Sequence, residues 1–144
     1  MRCRLPRESR ALERLGQVNE PIFLTLDEVR RIHARSLAEH GGSDGTRDPG
    51  LVESALASAK NIFYYAHGDV FDVAAGYAFH LAESQAFVDG NKRTAVVAAL
   101  VFLARNGVYV RPATWELYSA MIDVAEKKKN KADLAELFRK RANE

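Results

Sequence analysis

Residues 94–105 read TAVVAALVFLAR, an unbroken apolar run between a threonine and an arginine. Because no polar face is left at any helical spacing, a helix formed by this run must be surrounded by other helices. The two residues that follow, Asn106 and Gly107, are typical of a helix C-terminus. We therefore expect a central helix, beginning at Lys92 or Arg93 and ending at Arg105, in a protein of the all-α class.

Capping residues predict the starts of the surrounding helices. Thr25 and Glu28 have the spacing of a capping box, ahead of an apolar stripe that ends at residues 41–42. Asp48 followed by Pro49 predicts the next helix. Further helices are expected to begin at Asp69 or Asp72, at Thr114, running to Ala125, and at Asn130, running to Arg141. No pair of strands is evident, so the pattern predicts a compact, single-domain helical bundle around a buried central helix.

Length and composition fit a soluble globular protein. With 144 residues, of which 47% are hydrophobic and 28% charged, the chain is long enough to bury a core without crosslinks. Its single cysteine cannot form an internal disulfide. The first residues lack the apolar segment of a signal peptide, and no apolar run approaches about 18 residues. We expect a cytoplasmic protein with no membrane partner.

The positive charge is concentrated at the N-terminus. Five arginines and two glutamates give residues 1–14 a net charge of +3, which leaves −1 for the rest of the chain from the total of +2. We interpret residues 1–20 as an Arg-rich, mobile arm and residues 21–144 as the folded domain. A nearly neutral domain argues against a direct nucleic-acid partner. The sequence indicates no particular oligomeric state.

The loop before the central helix carries the groups best suited to a binding site. Residues 85–88 read QAFV and residues 89–95 read DGNKRTA. A helix N-terminus presents unpaired N–H groups and positive dipole charge, which favour phosphate. The residues suited to contact phosphate there are Gly90, Asn91, Lys92 and Arg93. Asp89 would repel phosphate unless a cation lay between them, which indicates Mg²⁺, although Asp89 could instead be the helix N-cap.

Residues 87–94, FVDGNKRT, resemble the signature of the Fic/Doc (Fido) family. The form is that of death-on-curing (Doc) toxins, which reads His-x-Phe-x-Asp/Asn-Ala/Gly-Asn-Lys-Arg-Thr. Other segments resemble Doc proteins in family order, namely residues 25–42, 45–55, 73–82 and 101–107. The resemblance covers about residues 22–140. It implies the all-α Fido fold.

The resemblance also implies a function. A Doc-type toxin uses ATP and Mg²⁺ to phosphorylate a hydroxyl of a target protein, and it is paired with a Phd-like antitoxin. Elongation factor Tu is the expected target, so the outcome would be inhibition of translation. By this resemblance Asp89 is the metal ligand, while residues 90–93 bind the phosphates of ATP. Lys92 favours phosphoryl transfer over the AMP transfer of Fic-type enzymes, which have Gly at this position and remain the alternative.

Gln85 stands where the family motif has its histidine, the residue expected to take the proton of the attacking hydroxyl. A carboxamide forms hydrogen bonds but cannot hold a proton near neutral pH. Gln85 could still orient the hydroxyl, with Asp89 and Lys92 as the other catalytic candidates. Alternatively, the chain is a catalytically silent binding module. The histidines, none of them expected to replace the base, are His33, His40, His67 and His80.

Three further features are interpreted as structural. Phe87 is expected to anchor the loop in the core. The Thr94 hydroxyl is expected to bond to backbone in the first turn of the central helix. The run Lys127–Lys129, followed by Lys131, is expected to be a solvated turn after a helix C-terminus, where cations suit the dipole.

Overall fold

The computed structural model describes residues 20–111 and 114–142, and the fold of these residues is all-α, as predicted. The helices are α1 (Leu26–His40), α2 (Pro49–Tyr64), α3 (Val70–Ser84), α4 (Asn91–Arg105), α5 (Thr114–Ala125) and α6 (Lys131–Ala142). The predicted Arg-rich arm lies, apart from its last residue, outside the described residues. No helix within the described ranges is both long and apolar enough to cross a membrane.

The capping residues begin the helices where the sequence predicts them. Thr25 and Glu28 form a reciprocal capping box at the start of α1. The Asp48 carboxylate caps α2, whose first residue is a proline. At α3 the structure decides between the two candidates, because Asp69 is the N-cap and Asp72 is the third helical residue of its capping box. Local polar bonds therefore fix the starts of three helices.

Helix α4 lies at the centre and packs against α1, α3 and α5. Its buried side chains are Thr94, Ala95, Val96, Ala98, Ala99, Phe102 and Leu103. The enclosure is less complete than the sequence predicts, since Val97 is 36% exposed. Gly76 lets α2 lie close to α3, because a Cβ there would be 2.4 Å from Ile62 Cδ1 and 3.4 Å from Ala59 Cα.

Helix α6 is joined to both ends of α3 by polar side chains. Arg139 Nη2 lies 2.9 Å from Asp69 Oδ2 at the start of α3. Partial burial of the Asp69 carboxyl opposes its ionisation, but the Asp72 backbone N–H and the Arg139 guanidinium outweigh this and lower its pKa. Towards the end of α3, Lys131 Nζ lies 3.1 Å from His80 Nε2. These contacts place the start of α6 next to the loop that follows α3.

Candidate active site

The motif loop, residues 85–90, begins where α3 ends. Gln85 is exposed and has a left-handed backbone conformation, with φ 49°. The chain then turns inward, and Phe87 is buried and forms an antiparallel bridge with Thr46. Next to the bridge, the Val88 N–H donates to the Gly45 carbonyl at 3.1 Å. The motif loop is thus paired with the connection between α1 and α2, and Phe87 anchors it in the core as predicted.

Asn91 closes the motif loop with both polar atoms of its side chain. Its Oδ1 accepts the Phe87 backbone N–H at 3.1 Å, and its Nδ2 donates to the Phe87 carbonyl at 2.9 Å. These bonds hold the first residue of α4 against the chain four residues earlier. Asn91 therefore positions the loop, a role that the sequence did not indicate. Its predicted contact with phosphate stays a prediction, and one Nδ2–H remains for it.

The buried His33 side chain of α1 holds the motif loop in place. Its ring stacks on the Phe87 ring, with centroids 3.8 Å apart and planes inclined by 10°. Its Nε2 lies 2.8 Å from the Asp89 carbonyl oxygen. A carbonyl only accepts, so the Nε2 atom carries the proton and donates it. His33 is consequently a positioning residue, and its Nε2 has no lone pair with which to act as a base.

The Asp89 carboxylate lies beside the start of α4 without capping it. Its Oδ1 accepts the Gly90 N–H at 2.8 Å, and its Oδ2 accepts the Ser43 N–H at 3.3 Å. The N-cap is Gly90, with φ 78° and no side-chain acceptor, so the alternative reading of Asp89 as N-cap is wrong. Since no side chain caps α4, its first N–H groups are available to an anion.

The donor set at Asp89 fits a magnesium ion that is shared with phosphates. The carboxylate is exposed, and each oxygen uses one acceptor position, which leaves further lone pairs for a cation. Within the described residues, no three His, Cys, Asp or Glu side chains come together as a metal site. Magnesium commonly takes one or two carboxylates and completes its shell with phosphate oxygens and water. A single exposed carboxylate such as that of Asp89 is compatible with such a site.

The two basic residues of the motif have different surroundings. Arg93 Nε donates to Ser36 Oγ at 3.2 Å, and Arg93 Nη2 donates to the Gly41 carbonyl at 3.3 Å, which ties α4 to the end of α1. A guanidinium has five N–H donors, so others remain for a ligand. Lys92 is exposed, and it forms no ion pair with any described residue. Lys92 is the better placed of the two to meet an incoming phosphate.

The prediction for Thr94 is wrong. Its side chain is completely buried, and Oγ1 has no hydrogen-bond partner among the described residues. The Gly90 carbonyl, one turn earlier, accepts a hydrogen bond from the Thr94 backbone N–H at 3.0 Å and none from the Thr94 hydroxyl. Core packing around Thr94 therefore decides the position of the side chain, against the usual preference of a hydroxyl for a nearby carbonyl.

A cavity of about 500 Å³ lies beside the motif loop and is lined by both Gln85 and Lys92. Its apolar lining comes from α3 and α5, namely Phe79, Ala82, Met121, Val124 and Ala125. The turn Lys127–Lys129 between α5 and α6 also lines it. These lysines are exposed, as predicted, but no pattern in the sequence indicates that they share a cavity with the motif. Its size is typical of small-molecule sites.

No histidine lines this cavity among the described residues. His33 is engaged by the loop backbone, and His40 and His67 are exposed elsewhere. His80 Nε2 faces Lys131 Nζ at 3.1 Å, and partial burial together with this positive charge lowers the pKa of His80. At the predicted position of the base, the cavity is lined by Gln85. No histidine among the described residues takes the place of the motif histidine there.

Comparison with known proteins places these features in a family. The family model described as the Fic/DOC family matches residues 23–103, which include the motif loop and all but the last two residues of α4. The protein described as "Protein kinase doc", from Escherichia phage P1, is 38% identical over 85 residues, 58% of this chain and 68% of the relative. "Toxin Doc" from Mycolicibacterium smegmatis is 42% identical over 85 residues, 58% of this chain and 65% of the relative. The aligned segments thus span about two thirds of each relative.

Proposed function

Because the chain belongs to the Fic/DOC family, we propose that it is a Doc-like toxin that transfers the γ-phosphoryl group of ATP to a hydroxyl of a target protein. One observation carries the proposal. Gln85 and Lys92 line the same cavity, and Lys92 lies in the first turn of α4, which follows Asp89 in the chain and has no side-chain cap. Positive charge, N–H donors and a carboxylate are the groups that phosphoryl transfer requires.

Each residue of the site has a role in this proposal. The first N–H groups of α4 and the Lys92 ammonium bind the phosphates of ATP. Asp89 would hold Mg²⁺, which when bound offsets the charge of the phosphate oxygens. Asn91 and His33 keep the loop in place, and Arg93 ties α4 to the end of α1, through the bonds described above. Positioning and electrostatics provide most of the acceleration in phosphoryl transfer.

Gln85 would orient the attacking hydroxyl in this site. Its carboxamide oxygen can accept the hydroxyl hydrogen bond and so aim the oxygen at the γ-phosphate, although it cannot take the proton. The proton would pass to an oxygen of the transferred phosphoryl group as ADP leaves. A general base is typically worth about 10²–10⁴ in rate, so we expect slow but measurable transfer.

The same residue supports a second candidate, a binding module that retains ATP or antitoxin binding without catalysis. No imidazole lines the cavity among the described residues, and the bonds that hold the loop do not involve Gln85. Binding would then persist in the absence of chemistry. A Fic-type transfer of AMP is the third possibility, and Lys92 argues against it by its resemblance to the Doc motif.

The proposal extends to partners. We infer that a Phd-like antitoxin neutralises this protein and that the target is a translation elongation factor, with elongation factor Tu as the first to test. The resemblance to a curated toxin and a curated protein kinase, both named Doc, supports these inferences. A cytoplasmic site of action agrees with such partners. Expression alone should arrest growth, and coexpression with a neighbouring antitoxin gene should relieve the arrest.

Labelled ATP distinguishes the candidates. The purified protein is incubated with Mg²⁺, cell lysate and either γ- or α-labelled ATP, and labelled proteins are separated and identified. The proposal expects γ-label on a target protein and no α-label. The reverse pattern would identify AMP transfer, and ATP binding without any labelling would identify the silent module. Absence of ATP binding by calorimetry, with and without Mg²⁺, would reject both transfer reactions and leave only a module that binds the antitoxin.

A further inference from the structure

We propose that the turn Lys127–Lys129 is a second phosphate-binding element of the cavity, and that Lys127 makes the site prefer nucleotides with more phosphates. This inference rests on the proposed function, because it concerns the nucleotide of that same site. The motif accounts for Lys92 at one wall of the cavity, whereas the lysine turn comes from a different part of the chain and lines the same space. Lys127 would be a specificity-determining residue.

The lysines of the turn differ in their ion pairs. Lys128 Nζ lies 3.0 Å from Glu126 Oε1, and Lys129 Nζ lies 3.6 Å from Asp123 Oδ2. Lys127 forms no ion pair with any described residue. No described carboxylate forms an ion pair with it, so its charge can interact with an anion in the cavity.

The backbone holds Lys127 in a defined turn. The Lys127 N–H donates to the Val124 carbonyl at 3.0 Å, and the Lys128 N–H donates to the Asp123 carbonyl at 2.8 Å. These two bonds form a Schellman motif at the end of α5, with Lys127 in the left-handed position at φ 65°. Glycine or asparagine usually occupies this position, so the turn would form more easily without the lysine. Its side chain extends from a fixed point on the cavity wall.

The charges around the cavity favour an anion. Four lysines line it, against the carboxylates of Glu83 and Asp133. The Asp133 carboxylate also takes part in the cap of α6, since its Oδ2 accepts the Asn130 N–H at 2.9 Å. The apolar lining from α3 and α5 suits a nucleoside, while Lys92 and Lys127 provide charge for phosphates on two walls. The contribution of Lys127 should grow with the charge of the ligand.

The test compares three nucleotides on the purified protein by calorimetry, namely ATP, ADP and AMP with Mg²⁺. Lys127→Asn removes the positive charge, and asparagine tolerates the left-handed backbone conformation of this position. Lys140→Gln, an exposed lysine of α6 away from the cavity, is the matched control for net charge. We expect Lys127→Asn to weaken ATP binding by at least about threefold, and AMP binding less, as for an exposed charge contact. Lys140→Gln should change neither, and Lys127→Arg should retain ATP affinity.

The outcomes separate this inference from the proposed function. If the unmutated protein binds ATP and Lys127→Asn binds it equally well, the lysine turn does not contact phosphate and the inference fails alone. Equal losses for ATP and AMP would also overturn it, because the effect would not depend on the number of phosphates. If the unmutated protein binds no nucleotide, both fail together. A thermal unfolding midpoint is measured for each variant to show that the variant is folded. If Lys127→Asn is not folded, Lys127→Gln is tested in its place.

Discussion

The His33 ring lies parallel to the Phe87 ring at a centroid distance of 3.8 Å. The same imidazole donates a hydrogen bond to the Asp89 carbonyl, so one side chain of α1 holds both the buried anchor of the motif loop and the backbone of the candidate metal ligand. Removing a buried donor leaves its acceptor unsatisfied, at about 1–3 kcal/mol. The stability of the site thus depends on a histidine outside the motif.

Replacing this histidine by phenylalanine tests its role in positioning. His33→Phe keeps a ring against Phe87 but cannot donate to the Asp89 carbonyl. We expect a loss of about 1 kcal/mol in the free energy of unfolding, measured in urea, and Mg²⁺-ATP binding weakened by about five- to tenfold, because one lost hydrogen bond is worth about that much. His40→Phe, at an exposed position of α1, is the control. Unchanged affinity in His33→Phe would show that the loop holds itself.

Lys92 and Arg93 should respond differently to loss of charge. Lys92→Gln removes an exposed contact to phosphate, so Mg²⁺-ATP binding should weaken by about ten- to a hundredfold with stability unchanged. Arg93→Gln should also lower the free energy of unfolding by about 1–2 kcal/mol, because the guanidinium bonds to Ser36 and Gly41. Calorimetry and urea unfolding measure the two effects. A destabilised Lys92→Gln would contradict this assignment of roles.

Gln85→His tests the missing base. Histidine accepts left-handed backbone more readily than most residues, so the φ of 49° at this position favours the substitution. The new imidazole titrates near pH 6.5 and should raise phosphoryl transfer by about ten- to ten-thousandfold. The assay is γ-label transfer to the target protein. Growth inhibition on expression should increase in parallel.

The control for this gain is Asp89→Ala in the Gln85→His background, since restored activity must still require the metal carboxylate. Suppose that Gln85→His binds ATP but gains neither transfer nor toxicity. Strong activity of the unmutated protein would then mean that Gln85 already serves the mechanism. No activity in either protein would mean that another part of the site has been lost.

His80 predicts a pH dependence of stability. Burial and the charge of Lys131 lower the pKa of His80 in the folded protein below its ordinary value of 6.5. The unfolded chain therefore binds a proton at a higher pH than the folded protein does, and the free energy of unfolding should fall as pH falls below about 6.5. His80→Gln should reduce this slope in urea unfolding between about pH 5 and 7.

The features that could be predicted from the sequence depend on neighbouring residues. The caps at Thr25 and Asp48 were correct because the side chain bonds to backbone two or three residues away. The start of α4 was placed one or two residues late. Asn91 is the first helical residue, and its carboxamide bonds back to Phe87. The position of Asn91 in the sequence does not show whether its side chain bonds to the loop backbone or to a ligand.

The features that could not be predicted join distant parts of the chain. His33 and Asp89 are 56 residues apart in sequence, and Ser36 and Arg93 are 57 apart. The apolar stripe of α1 shows that His33 faces inward but not what it meets there. In the same way, the lysine turn after α5 looks like an ordinary helix end, and only the packing of α5 against α3 places it on the cavity of the motif.

The pair of hydrogen bonds between Asn91 and Phe87 has a consequence for the evolution of this chain. The loop is held by Asn91 and His33, and none of these contacts includes Gln85. A single codon change at position 85 can therefore alter the chemistry while selection for a folded, soluble protein continues undisturbed. One substitution at position 85 would be enough to reduce the activity of a harmful protein, and one substitution would be enough to restore it.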